Sequence, residues 1–159
     1  RDAQESRGLG DVYKRQSVDS IHKELGHIMW EYVGMGRTAE GLKEGLKKLK
    51  EVRKEFEKEL FIPGDKEGMN VELDKAIRLY DFITMGELVA YDALNRNESC
   101  GGHFREEYQT EEGEAKRDDE NFFYVACWEY QGDDEKAPVL YKEPLVYEAI
   151  KVQTRNYKS

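Results

Sequence analysis

Apolar positions along the chain form three helical stripes, followed by two short runs of a different kind. From Ser17 or Asp19 to Tyr32, the residues Ile21, Leu25, Ile28 and Tyr32 recur at steps of four, three and four, which places them on one face of an α-helix. Ser17, Asp19 and Ser20 are good caps for its first turn. Met29 and Trp30 are expected to broaden the stripe, and Gly34 and Gly36 to stop the helix by supplying a left-handed turn. A second helix is predicted from the cap Thr38 to about Leu60, with Leu42, Leu46, Leu49, Val52, Phe56 and Leu60 on its stripe and Pro63 and Gly64 ending it. Lysines and glutamates fill its other faces, with Glu51 and Glu55 set to pair at i, i+4. A third helix is predicted from about Asn70 to Leu94, with Leu73, Ile77, Tyr80, Leu88 and Tyr91 as its stripe. Three amphipathic helices on short connections should pack as an antiparallel bundle.

After Arg96 the helical period disappears. Residues 97–121 are glycine-containing and highly charged, which predicts an ordered loop or an extended wrap. The runs NFFYVACWEY and APVLYKEPLVYEAIKV are rich in aromatic and β-branched residues and are separated by the turn-like QGDDEKAP, so a short antiparallel pair is expected. Pro138 and Pro144 would confine the second strand to an edge. The predicted fold is therefore mainly α: a three-helix antiparallel bundle of the spectrin-repeat kind over 17–96, then a polar corner and an extended aromatic tail with a short β-hairpin over 97–159. Residues 1–16 have neither a helical nor a strand period and are expected to be disordered. Their ending, DVYKRQ, looks like translated linker sequence, so this leader is expected to be non-native.

Composition limits the function classes. Charged residues make up 37% of the 159 residues and the mean hydropathy is −0.87, so the core must be thin, built from helix stripes and from 10 Tyr and 6 Phe. A net charge of −9 argues against a nucleic-acid partner, since binding phosphates needs a concentrated basic surface. No stretch approaches the roughly 20 apolar residues of a membrane span, and none has the form of a signal peptide. Cys100 and Cys127 are too few for a disulfide framework, which favours a reduced, cytoplasmic chain.

Several motifs resemble functional sites without their required context. Gly34-Met35-Gly36-Arg37-Thr38-Ala39 matches G-x-G-x-x-A, but a helix precedes it where a dinucleotide site needs a strand, and Leu42 stands where a phosphate loop beginning at Gly36 would need Lys. His22 and His27 are five residues apart, about 140° around a helix, whereas paired zinc ligands sit on one face. Cys100, His103 and Cys127 lack a second close pair, and Ser99 with His103 lacks a nucleophile elbow. Asp118-Asp119-Glu120 has no calcium-loop spacing and should be solvated or bridged to Arg105, Arg117 or a neighbouring domain. No catalytic, cofactor-binding or metal-binding residue is therefore assigned. What remains is Arg96, Glu98, Ser99, Gly101, Gly102, His103 and Arg105, directly after a long helix. The adjacent glycines allow close backbone approach, and the polar side chains can satisfy a helix end, as an interdomain docking corner would require.

That corner, Arg96-x-Glu98-Ser99-x-Gly101-x-His103-x-Arg105 followed by Arg117-Asp118-Asp119-Glu120-Asn121, resembles the R-x-E-S-R-G-A-H … R-D-D-E-N pattern of succinate dehydrogenase and fumarate reductase flavoprotein subunits. The helical lead-in from His27 to Phe56 and the ending VYEAIKVQTRNYKS are also similar to that family's carboxy-terminal region, and the resemblance covers about residues 19–159. Cys100 stands where the family has Arg and Gly102 where it has Ala, so nothing that Arg does can be carried over.

The resemblance implies a fragment, inactive by itself, of an oxidoreductase that interconverts succinate and fumarate. FAD would be bound by an upstream flavin-binding domain of the same protein, which would also carry the catalytic residues. Electrons would pass to an iron–sulfur subunit and through it to a membrane anchor, placing the protein in the cytoplasm, peripheral to the membrane. This region would brace the flavin domain, with Phe122, Phe123, Tyr124, Trp128 and Tyr130 supplying contact area. The alternatives are a self-standing helical interaction module without enzyme activity, and the equivalent domain of L-aspartate oxidase.

Overall fold

A computed structural model describes residues 15–64, 67–132 and 136–153. Two compact units divide the chain between Asn95 and Arg96. The first holds three helices: α1 (Val18–Val33), α2 (Ala39–Glu59) and α3 (Val71–Asn95). Ser17 caps α1 by accepting from the Ser20 N–H at 3.1 Å, and Thr38 caps α2 by accepting from the Gly41 N–H at 2.9 Å. Each bond satisfies one amide that the first turn would otherwise leave open.

Pairwise contacts fix the topology. Between α1 and α2 the order runs in opposite directions, with Tyr32 against Gly45 near one end and Gln16 bonded to Glu59 and Phe61 at the other. Between α2 and α3 it also reverses, with Leu49 against Gly86 and Phe56 against Tyr80. Between α1 and α3 it runs parallel, from Lys75–Asp19 through His22–Phe82 to Met29–Gly86. The result is the up–down–up bundle expected from the stripes. Its core joins Ile21, Leu25, Ile28, Leu42, Leu49, Val52, Leu79 and Ile83.

Several positions depart from the sequence expectation. Trp30 does not broaden the α1 stripe; it is 85% exposed. Gly34 ends α1 without a left-handed turn, at φ −68°. Glycine is needed there because a Cβ would stand 2.5 Å from the Trp30 carbonyl oxygen. Glu55 shares its surroundings with Glu24, Glu59 and Glu51 instead of gaining an i, i+4 ion pair; burial first, and then these carboxylates, hold its pKa above the usual carboxylate range. Gln16, expected to be disordered, bonds through its backbone N–H and C=O to Glu59 and Phe61; residues 1–14 of the expected leader lie outside the described residues.

The largest departure is in α3. Its buried face is Ala76, Leu79, Ile83, Gly86, Ala90 and Ala93, while the expected stripe of Leu73, Ile77, Tyr80 and Leu88 is exposed, Ile77 by 60%. Apolar residues surround most of this helix, so periodicity alone does not select a face. Close packing does: a Cβ on Gly86 would meet Met29 Sδ at 3.1 Å and Leu49 Cδ2 at 3.7 Å, so a small residue at this position lets α3 lie close to both neighbours.

The second unit contains a single-turn helix α4 (Asp119–Phe122) and an antiparallel pair, β1 (Tyr124–Glu129) with β2 (Val139–Pro144). The register sets Tyr124 opposite Pro144, Ala126 opposite Lys142 and Trp128 opposite Leu140. Alternation leaves Tyr124, Ala126 and Trp128 half-buried and Val125, Cys127 and Glu129 exposed. This matches the expected hairpin, with Pro138 just before β2 and Pro144 closing it. The expected turn is described except for residues 133–135, which lie outside the described residues.

Candidate functional site

Residues 96–118 carry no long helix or strand, yet they hold the second unit's buried polar groups. The chain reverses at Cys100–His103, where Cys100 N–H donates to His103 O at 2.8 Å and His103 N–H donates to Cys100 O at 3.1 Å. Gly101 takes φ +59° at the apex of that turn, a conformation glycine adopts without strain. His103 Nε2 lies 2.9 Å from the Arg96 carbonyl oxygen; as a carbonyl only accepts, Nε2 carries the proton.

Three side chains tie the turn together. Ser99, fully buried, accepts from Arg105 N–H at 2.8 Å and donates through its hydroxyl to Arg105 O at 3.1 Å. Glu98, also buried, accepts from Arg96 Nε at 2.9 Å on one oxygen and from Asp118 N–H at 2.9 Å on the other. Both halves of the sequence motif thus meet on one carboxylate. Arg105 is buried with Nε donating to Glu107 Oε2 at 3.1 Å and with its guanidinium over the Tyr108 ring. Buried charges persist when paired and hydrogen-bonded in this way.

Arg96 fastens the turn to the hairpin. Its Nη2 donates to the Phe122 carbonyl oxygen at 2.7 Å, and its guanidinium lies 5.6 Å from the centre of the Tyr124 ring. Lys142 covers the same ring at 4.5 Å, so Tyr124 receives cations from Arg96 and Lys142. At the neighbouring acidic run, Asp118 caps α4 through the Asn121 N–H, and Arg117 pairs with Asp119 at 2.6 Å. That hydrogen bond leads the causes raising the Arg117 pKa. Arg105, one of the alternatives offered as a partner of the acidic run, pairs with Glu107.

Of the seven residues singled out in sequence, Arg96, Glu98 and His103 form one bonded group and Ser99 and Arg105 a second within the same stretch, while Gly101 and Gly102 make an exposed tip. A Cβ on Gly102 would meet nothing within 4 Å. Sequence reasoning missed Glu107, Tyr108 and Lys142, and it named Tyr124 as contact area without its link to Arg96. Adjacent complementary charge hinted at Glu107, but the Arg96–Tyr124 contact spans a loop that no local spacing encodes.

The network leaves little reactive chemistry. Ser99 Oγ is committed in both directions, and His103 Nε2 is taken up by a carbonyl. Among the described residues no group of three or more His, Cys, Asp or Glu side chains could hold a metal ion. The Gly34–Ala39 segment does not fit a dinucleotide phosphate: it follows helix α1, and a Cβ on Gly34 would stand against the Trp30 carbonyl where a phosphate cradle needs open amides. No described helix is long and apolar enough to cross a membrane.

The described residues form a three-helix bundle and, in a second unit, a polar turn with a β-hairpin. The chain belongs to the fumarate reductase flavoprotein C-terminal family, whose model matches residues 22–157. It is 33% identical over 117 residues to the fumarate reductase flavoprotein subunit of Serratia sp., covering 72% of this chain and 19% of the relative. It is 40% identical over 110 residues to the chloroplastic L-aspartate oxidase of Oryza sativa subsp. japonica, covering 69% of this chain and 16% of the relative. A solved quinol–fumarate reductase with menaquinol molecules matches at a TM-score of 0.71 and 25% identity, over 94% of this chain and 25% of that one. The chain therefore spans less than a fifth of these two curated relatives.

Proposed function

We propose that this chain is the carboxy-terminal brace of a flavoprotein that interconverts succinate and fumarate. In that protein FAD is held by an upstream flavin-binding domain, electrons pass to an iron–sulfur subunit, and a membrane anchor places the assembly at the cytoplasmic face of the membrane. The 96–105 corner is the docking element. One observation carries this role: a corner whose polar groups bond to one another ends in a two-glycine tip, and no described atom lies within 4 Å of a Cβ built on Gly102. Rigidity beneath and open backbone above suit close approach by another surface.

The test is Gly102→Trp in the full-length flavoprotein. A Cβ at this exposed tip meets no described atom, so the isolated 159 residues should melt unchanged, while flavin retention and fumarate reduction in the full-length protein fall. Full activity with Trp at the tip would refute docking there. Mixing the isolated chain with FAD and succinate should give neither bound flavin nor turnover, and either result would overturn the fragment reading.

A second reading is the corresponding domain of an L-aspartate oxidase, favoured by the 40% identity to the rice enzyme. Assaying the full-length protein with fumarate and with L-aspartate separates the two.

A further inference from the structure

Helix α2 carries its positive charge in a line. Lys43, Lys47, Lys50, Lys54 and Lys58 follow one another at steps of four, three, four and four, and all five are exposed. At roughly 100° and 1.5 Å per residue they share an arc of about 80° and a length of about 22 Å. No acidic residue falls on that arc between Lys43 and Lys54; Glu40 and Glu57 stand at its ends. In a chain of net charge −9, this is a local reversal of sign.

An ordinary solvated helix face pairs opposite charges at spacings of three or four residues. Helix α3 does so, with Lys75 bonded to Glu72 and Arg78 to Asp74. On α2, Lys48 lies off the stripe and reaches Glu44 at 3.9 Å. Lys43, Lys47, Lys54 and Lys58 make no ion pair or hydrogen bond with any described residue, although Glu51 stands four residues after Lys47 and three before Lys54. Like charges at these spacings repel along a helix, so the line weakens α2 until a counter-charge meets it.

The width of the stripe selects what can neutralise it. Glu44, Glu51, Glu55 and Glu59 run along one flank, with Glu24 of α1 beside Glu55. A flat anionic membrane pressed on the lysines would bring its headgroups against these carboxylates, and a nucleic-acid duplex would do the same with its phosphates. A single acidic segment, one helix wide, meets the lysines alone. Carboxylates at three- and four-residue steps of a helix repeat every 4.5–6 Å or so, about the spacing of the lysines along α2. We propose that the Lys43–Lys58 stripe docks an acidic helical segment of a partner protein. This goes beyond the role given to the corner and does not depend on it.

The test uses the full-length protein and a fluorescent alanine-based peptide of about 16 residues, carrying five Glu at the same four-three-four-four steps. Fluorescence anisotropy should show binding that is lost near 1 M salt, where the screening length is about 3 Å. Lys43→Gln/Lys47→Gln/Lys54→Gln should weaken binding about tenfold, the effect of three surface ion pairs, with helical circular dichroism unchanged. Lys43→Arg/Lys47→Arg/Lys54→Arg should keep it, since the charge remains. No binding, equal binding by the Gln variant, loss in the Arg variant, or equal binding of a peptide with its five Glu in one block overturns the proposal. So does tighter binding to phosphatidylserine vesicles or to duplex DNA, which would make the stripe a lipid or nucleic-acid surface. Gly102→Trp should leave the peptide affinity unchanged, whatever it does to flavin retention; a loss there would place the peptide at the corner and overturn docking on α2.

Discussion

Arg53 and Glu87 provide the sharpest test of what holds α2 against α3. Arg53 is 7% exposed, and its Nη2 lies 2.6 Å from Glu87 Oε2 while its Nε lies 3.1 Å and 3.2 Å from the two carboxylate oxygens. The same guanidinium donates to Thr84 Oγ1 at 3.1 Å and stands over the Tyr80 ring at 5.3 Å. Glu87→Ala would leave this cation nearly buried without its counter-charge. Removing one partner of a buried pair costs about 3–5 kcal/mol, and the lower end applies because the Glu87 side chain keeps 21% exposure. For a bundle of this size about 3 kcal/mol corresponds to roughly 12–24 °C in melting temperature.

The assay is urea and thermal unfolding followed by helical circular dichroism, for Glu87→Ala, Arg53→Met and the double variant Arg53→Met/Glu87→Leu. The double variant should recover most of the loss, since an apolar pair of similar volume replaces a desolvated ionic one. A loss below about 1 kcal/mol for Glu87→Ala, the size of a surface pair, would refute the claim that this bridge is effectively buried.

The other predictions probe the bundle's pH response, the corner and the helix crossing. Glu55 has a raised folded pKa, so its contribution favours the fold when protonated and is lost as pH rises through that pKa; Glu55→Gln should stabilise the bundle near pH 7 and change little near pH 4, and an equal shift at both pH values would refute it. Ser99→Ala strands a buried N–H and a buried C=O of Arg105, a loss of about 1–3 kcal/mol in the second unit, read as faster proteolysis between 100 and 118; unchanged cleavage would refute the role given to the hydroxyl. Gly45→Ala sets a Cβ 2.8 Å from Tyr32 Cβ, so the helices must separate; a loss of about 1–3 kcal/mol from overpacking should exceed the gain of about 1 kcal/mol in helix propensity, and a higher melting temperature would refute the crossing.

Sequence determined this protein's elements and the membership of its corner. The three–four spacing in α1 and α2 named Ile21, Leu25, Ile28, Leu42, Leu49 and Val52, and all six are buried, because a lone amphipathic stripe has one side to hide. Caps at Ser17 and Thr38 were legible because their partners lie three residues away. Ordered polar residues after a long helix marked the corner, since such groups need partners.

Tertiary structure decided the rest. With apolar residues around most of α3, its buried side was set by how closely α1 and α2 approach, so alanines and Gly86 entered the core while Ile77 and Leu73 stayed outside. Arg96 could be named from the motif, but its contacts with Phe122 and Tyr124 depend on where the loop returns the hairpin. The physical reason is range: helix periodicity and capping act within one or two turns, whereas a close approach or a buried charge is settled by residues that meet only once the chain has folded.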